Sequence, residues 1–424
     1  MFLSKHTILG ISLCLILSFF PALPSNGAAT DTLIFLHYWT GPLSGGINEM
    51  AETFNRTNRE TKVRATGFDH ESFKIGIKVM LAGGNPPDMF SYWAGVKTQA
   101  MVDSDYIVPI DDVWQEAELD QIFSSTVARA CTYDAHKYAL PLTQHYVAFF
   151  YNKKTFESLG ISPPANWEEF IAICDKLKRA KVKPVALGSR EKWPAQFWFD
   201  YLLLRTAGPD YRQKLMTGHA SYSDPEVEKV FVLWKSLLDA GYFNESPNQL
   251  DWAEATGLVQ SGKAAMTLMG TWIIGLFDGQ LGWTQDKDYG FFQFPIMSPD
   301  IPMVALGPID TIVVSREGKK NEAKKALAFF SDPGPQMEMS QKSGALSPSK
   351  AIPLSFYAPL QRRILHIIRS TPHWAFNYDL ATPPEIAGHG LEAFKEFINN
   401  PANYRRILAD IDQKSLQFFT NRTE

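Results

Sequence analysis

The residues of this chain best placed for chemistry are aromatic. Trp39 follows the apolar run TLIFLHY at 32–38, Trp93 stands near the end of DMFSYWA at 88–94, and Trp272 comes directly after Gly270 and Thr271. With Gly, Thr and polar residues around them, these rings are expected to face a ligand, where they could stack on the apolar side of a small molecule. Trp114, Trp167, Trp198 and Trp234 lie in helical patterns instead and are expected in the core. Catalytic signatures are missing: no GxxxxGK[ST], GxGxxG, GxSxG or HExxH occurs. Phosphate loops, dinucleotide folds, serine hydrolases and zinc proteases therefore lose their usual markers. No two of the 9 His share metal-ligand spacing on one helix. The acidic pairs Asp111 with Asp112 and Asp286 with Asp288 could in type supply a glycosidase acid and base, but such pairs more often cap helices and fill turns.

The elements that must position these rings alternate between strand and helix. The run at 32–38 is almost continuously apolar, the mark of a strand covered on both faces. Ile47, Met50, Ala51 and Phe54 follow at helical spacing, and a second strand is expected at 63–68. A helix carrying Phe73, Ile77 and Met80 then stops at Gly83-Gly84-Asn85-Pro86-Pro87, ahead of a third strand that Asp88 opens as a cap. Further strands are expected at 146–151, 183–188, 264–269 and 309–315. Asn166 with Glu169 resembles a capping box, Asp224 with Pro225 starts a helix, and the last quarter is mostly helical. The order implies βαβ units and a parallel sheet, and in such sheets ligands bind outside the carboxyl ends of the strands. Trp39, Trp93 and Trp272 all fall at such ends.

Composition narrows the class. The 424 residues carry 41 Lys and Arg against 45 Asp and Glu, a net charge of -4, which gives no electrostatic footprint for nucleic acid. Charged residues are 20% and hydrophobic ones 45%, the balance of a globular chain with material for two or three domains. Lys5 and His6 precede an apolar run at 8–20, followed by Pro21, Pro24 and small residues to Ala29, the pattern of a cleaved secretory signal peptide over 1–29. Cys14 lies inside that run behind Leu13, where a lipobox carries a small residue, so no lipid anchor is expected. Without another apolar stretch of 18 residues, the mature protein is expected to be soluble outside the cytoplasm. Cys131 and Cys174 could pair there, although two buried thiols fit the pattern better.

Blocks spread over the whole mature chain carry a resemblance: HYWTG at 37–41, LAGGNPPDMFSYWAG at 81–95, LPLTQHYVAFFYNKKTF at 140–156, NWEEF at 166–170, GKAAMTLMGTW at 262–272 and GALSPSK at 344–350. Together with the leader, their order resembles the extracellular solute-binding proteins of carbohydrate ABC importers, the group that includes maltose-binding proteins. The resemblance implies an α/β, two-lobe periplasmic-binding-protein fold of type II, each lobe a mainly parallel sheet flanked by helices, closing by a hinge on a ligand. The chain would cross between lobes near 142–145, 301–305 and 344–348. The N-terminal lobe would take 30–143 with 302–345, and the C-terminal lobe 144–301 with 346–424. By position, the family's ligand contacts fall on Trp39, Trp93, His145, Glu191, Trp193, Trp272 and Asp310, with Trp374 and Asp379 added from the last quarter. Where maltose-type relatives place an acid after the third-strand aromatic, this chain has Ala94-Gly95-Val96, which points away from maltose to a smaller saccharide or polyol.

The resemblance further implies a monomer that captures a sugar, needs no metal or cofactor, and delivers its ligand to membrane permease subunits of an ABC importer. A polyamine binder of this fold would need several acids in the cleft. A secreted carbohydrate-active enzyme would need two carboxylates about 5 to 9.5 Å apart across one ligand.

Overall fold

Residues 31–421 are described by a computed structural model. The leader expected at 1–29 lies outside the described residues. The first apolar run forms β1 (Asp31–His37), which α1 (Ser44–Thr57) connects to β2 (Thr61–Gly67). Ile47, Met50, Ala51 and Phe54 are the buried stripe of α1, as their spacing predicts. Asp69 caps α2 (His70–Ala82) by accepting a hydrogen bond from the Ser72 amide at 3.0 Å, and Phe73, Ile77 and Leu81 face inward. The glycines and prolines after α2 end it ahead of β3 (Met89–Trp93), and Asp88 ties the entrance down by accepting from the amides of Ile34 and Lys319. α3 (Val96–Asp103) and β4 (Ala139–Gln144) complete this part of the chain.

Beyond β4 come β5 (Val147–Asn152), β6 (Lys183–Ala186), α4 (Gln196–Thr206) and α5 (Gly208–Met216). β7 (Ala264–Gly270), β8 (Tyr289–Phe292), β9 (Val304–Leu306), β10 (Ile309–Val314) and β11 (His373–Ala375) follow, with long helices at Pro225–Asp239, Pro359–Ser370 and Pro384–Asn399. Two caps differ from the sequence pattern. Glu169 reaches back to the amide of Ala165 rather than Asn166, and the Asp224 carboxylate is occupied by the Tyr211 hydroxyl and the Ser221 amide.

The strands build two main sheets, ordered β2-β1-β3-β10-β4 and β8-β5-β7-β6. The βαβ units at the start of the chain are parallel, but both sheets are mixed. β10 is antiparallel to β3 and β4, and β5 is antiparallel to β7 and β8. Direction follows from entry point. β3 ends at Trp93, β10 begins beside it with Asp310 opposite Trp93, and a strand that enters where its neighbour leaves must run the other way.

Each sheet has its own apolar core, which gives the molecule two lobes. Trp114, Trp198 and Trp234 are buried, and half-buried Trp167 stacks on Phe170. Cys131 and Cys174 are free, buried and in different cores, and burial pushes the Cys131 thiol up to about 12. Val304, Ala305 and Leu306 pack in the second core, and the chain reaches the first sheet only at Ile309. At that passage Gly307 lies against the strand-to-strand link at 145–146, where a Cβ would sit 1.8 Å from the His145 carbonyl oxygen. Among the described residues no helix is long and apolar enough to cross a membrane.

His37, at the end of β1, is 2% exposed with both ring nitrogens unpartnered. Burial lowers its pKa to about 4, against an opposing contribution from the Trp39 backbone. An unfolded chain protonates this ring near pH 6.5 and the folded one only near 4, so the stability it confers is complete above 6.5 and is lost as pH falls through that window. The loss should reach about 3 kcal/mol. Urea unfolding at pH 7.5 and 4.5 should show wild type losing more stability than His37→Phe, and equal losses would contradict this assignment.

Candidate ligand-binding site

The carboxyl ends of β1, β3 and β7 converge on a cavity of about 240 Å³ between the lobes. Of the nine residues singled out in the sequence, eight line it: Trp39, Trp93, His145, Glu191, Trp193, Trp272, Asp310 and Asp379. Trp374 is not among the lining residues. It lies in β11 opposite Ala305 of β9 and packs against both cores, which places it between the lobes as a packing residue.

One wall is built from β1, β3 and α2. Tyr38 stacks on Trp93 with centroids 4.3 Å apart and planes at 11°, and His70 meets Trp93 edge-on at 5.2 Å. The opposite wall is Trp193, Trp252 and Trp272, with Trp193 and Trp272 at 5.8 Å and 68°. Trp272 folds back over Gly270, where a Cβ would meet its ring at 2.0 Å, so only glycine seats the indole there. His70 and Trp193 face each other across the cleft at 6.1 Å. Edge-on and offset contacts of this kind hold rings in fixed orientations, which is what a preformed stacking site requires.

The floor is a buried polar network. Asp310 accepts from the Tyr38 hydroxyl at 2.9 Å, the Thr143 hydroxyl at 2.6 Å and His145 Nε2 at 3.1 Å, while His145 Nδ1 is 3.0 Å from the Thr271 hydroxyl. Thr143 is the penultimate residue of β4 and Thr271 follows β7, so the network spans the two sheets. Burial and the Asp310 charge push the Tyr38 phenol far above its ordinary pKa, which keeps it a neutral donor.

Charged groups ring the mouth. Lys97 pairs with Asp379 at 2.5 Å and lies 5.1 Å from the Trp93 ring centre. Against the opposing effect of burial, Lys97 and Lys74 hold the Asp379 carboxyl below its usual range. Lys74 pairs with Glu71 at 2.7 Å. Burial works against ionisation of Glu71 too, but His70 and Lys74 bring its pKa down to about 2. Glu191 and Trp193 flank Lys192, which has φ +70° and ψ -45° and brings the Trp193 amide to the Glu191 carbonyl at 2.8 Å. That is a γ-turn of the rare, strained form, whose cost of order 1–3 kcal/mol persists only where the surroundings impose it. Two buried lining atoms lack partners inside the protein, the Trp193 Nε1 donor and the Asn377 Oδ1 acceptor, and no hydrogen bond or ion pair holds the Glu191 carboxylate. Among the described residues no group of three or more His, Cys, Asp and Glu side chains could hold a metal ion.

Sequence reasoning missed His70, Lys74, Lys97, Gln196, Trp252 and Asn377 at this cavity. His70 had a usable signal, because it sits just past the carboxyl end of β2, where the strand-end rule applies. The others lie on helices or loops whose direction depends on packing.

The bacterial extracellular solute-binding protein profile matches residues 40–337. An ABC transporter extracellular-binding protein of Pyrococcus horikoshii, itself uncharacterised, is 30% identical over 82% of this chain and 78% of its own length. The chain belongs to the bacterial extracellular solute-binding protein family. This family supplies solute-binding components of ABC transporters. Among other relatives of this family member, a probable sugar-binding periplasmic protein of Mesorhizobium japonicum is 26% identical over 65% of this chain and 66% of its own length. Among solved structures, a bacterial solute receptor described as exclusively preferring β-D-galactopyranose superposes with a TM-score of 0.85 at 25% identity, covering 92% of this chain and all of that one.

Proposed function

We propose that this protein is the substrate-binding component of a carbohydrate ABC importer, holding a sugar between its lobes and passing it to membrane permease subunits. The observation that carries this reading is the pairing of stacking walls with free polar groups. Rings from both lobes face one cavity, and an indole N–H, an amide oxygen and a carboxylate point into it without protein partners. A pyranose offers apolar C–H faces to the rings and hydroxyls that both donate and accept, so it satisfies all of these groups at once. Inside a water-excluding cleft each such match counts for more than on a surface, and each mismatch costs more.

The names of the relatives support the same ligand class and a periplasmic or extracellular location. Binding without turnover fits the carboxylates, since Asp310 is held by three donors and Asp379 is paired with Lys97, which leaves only Glu191 free of protein partners. We read the protein as a monomer with no nucleic-acid partner, in keeping with one self-contained site and a net charge of -4.

Truncation of the stacked wall tests the reading. Trp93→Ala should weaken binding of the preferred sugar by at least about 1 kcal/mol, the scale of an aromatic contact beyond its area. Calorimetric titration measures this, and an unchanged dissociation constant would remove Trp93 from the site.

A further inference from the structure

Among the acids of the cleft only the Glu191 carboxylate is held by neither a hydrogen bond nor an ion pair. Asp310 is satisfied by Tyr38, Thr143 and His145, Asp379 by Lys97, Glu71 by Lys74, and Asp69 by capping α2. The cations on either side of Glu191 are turned away. Arg190 is bound by Asp251 at 2.6 Å and Glu254 at 2.8 Å, and Lys192 by Glu392. The charges within electrostatic reach of Glu191 are Glu71 and Lys74 from α2 across the cleft, and Asp251 and Arg190 beside it. These four charges cancel, Lys74 pairing with Glu71 and Arg190 with Asp251, so the Glu191 carboxylate itself is the charge left without a partner. Burial first, then Glu71 and Asp251, push its pKa up, the response of a carboxylate short of positive charge.

Glu191 lines the same cavity as the Trp193, Trp252 and Trp272 rings. Trp193 is two residues on, and the chain before Trp252 is hydrogen-bonded to the Glu191 loop through Ser189 to Pro247 and Arg190 to Leu250. A carboxylate among indoles is the chemistry that holds an ammonium group, through a charge-assisted hydrogen bond and attraction to the ring faces. A ligand hydroxyl could fill the same place but would leave the charge unbalanced, and an acidic sugar would add to it.

We infer that the saccharide this cleft is built for is an amino sugar, whose protonated amine pairs with Glu191 while its ring stacks between the two aromatic walls. This rests on the carbohydrate reading above and names the substrate class within it. Glu191 thereby sets specificity by charge, and the hydroxyl partners set it by geometry.

Calorimetric titration at low ionic strength, at a pH below the pKa of the sugar amine, tests this with hexosamines against their neutral parent hexoses and with spermidine as a third arm. At least one hexosamine should bind about tenfold more tightly than its parent, as a charge-assisted bond outweighs a neutral one. In Glu191→Gln the ratio should fall to about one. Equal or tighter binding of every parent hexose by the wild type would overturn the inference and leave the carbohydrate reading standing, as would a tenfold ratio that survives Glu191→Gln. Binding of spermidine with no sugar of either kind would sink both. Should Glu191→Gln fail to fold, Glu191→Ala takes its place with the same expected ratio of about one, and a wild-type ratio of one or less overturns the inference without either variant.

Discussion

Asp310→Ala should cost about 3 kcal/mol or more of folding stability and abolish sugar binding. The carboxylate is 4% exposed and accepts from three side chains, so truncation leaves the Tyr38 hydroxyl, the Thr143 hydroxyl and His145 Nε2 buried around a hole. Each orphaned buried donor costs about 1–3 kcal/mol. Thr143 and His145 are also 3.1 Å from each other and can offset part of the loss, which holds the expected total near the lower end. Binding fails for a second reason. Tyr38 is oriented by Asp310 and in turn backs Trp93 at 4.3 Å, so the stacking wall loses its support along with the floor. Asp310→Asn keeps an acceptor toward Tyr38 and should lose much less stability. Urea unfolding of the ligand-free variants separates the two effects from titration, and wild-type stability in Asp310→Ala would show that the network does not hold the two sheets together.

The second large effect lies away from the cavity. Asp200 on α4 is completely buried and takes both Nε and Nη2 of Arg212, on α5, at 2.9 and 2.6 Å, while its other oxygen accepts the Tyr378 amide at 2.8 Å. Arg212 also donates to the Phe376 carbonyl at 2.7 Å, so the pair clamps the segment that carries Asn377 and Asp379 to the cavity. Asp200→Ala strands a buried guanidinium and should cost about 3–5 kcal/mol, the scale for removing one partner of a buried ion pair. Replacing both residues, as Asp200→Leu with Arg212→Met, should recover much of that stability, because the pair together also bears a desolvation cost. A double-mutant cycle read by urea unfolding checks this, and simple additivity would contradict the clamp. Sugar affinity should still fall in the double variant, since nothing then positions the 376–380 segment.

The sequence carried its best information where chemistry is local. An apolar run followed by an aromatic marks a strand end, and that pattern found Trp39, Trp93 and Trp272 at the cavity. Trp374, which came from the resemblance and not from a strand end, falls outside the cavity lining because β11 pairs with β9 between the lobes and its ring is caught between two cores. Lys97 meets Asp379 across 282 residues, and Asp310 meets Tyr38 across 272, so neither contact has a local signature. Strand direction was legible only in the βαβ units. β10 returns from the other lobe, and its antiparallel course is set by where it enters.

The central claim is that a sugar binds between the two aromatic walls. Its most direct test is intrinsic tryptophan fluorescence of the wild-type protein titrated with a panel of hexoses, hexosamines, disaccharides, polyols and polyamines. Trp93, Trp193, Trp252 and Trp272 all line the cavity, so a bound saccharide must change their surroundings. The account predicts a saturable emission change with at least one saccharide, absent with polyamines. A response to polyamines alone would contradict it.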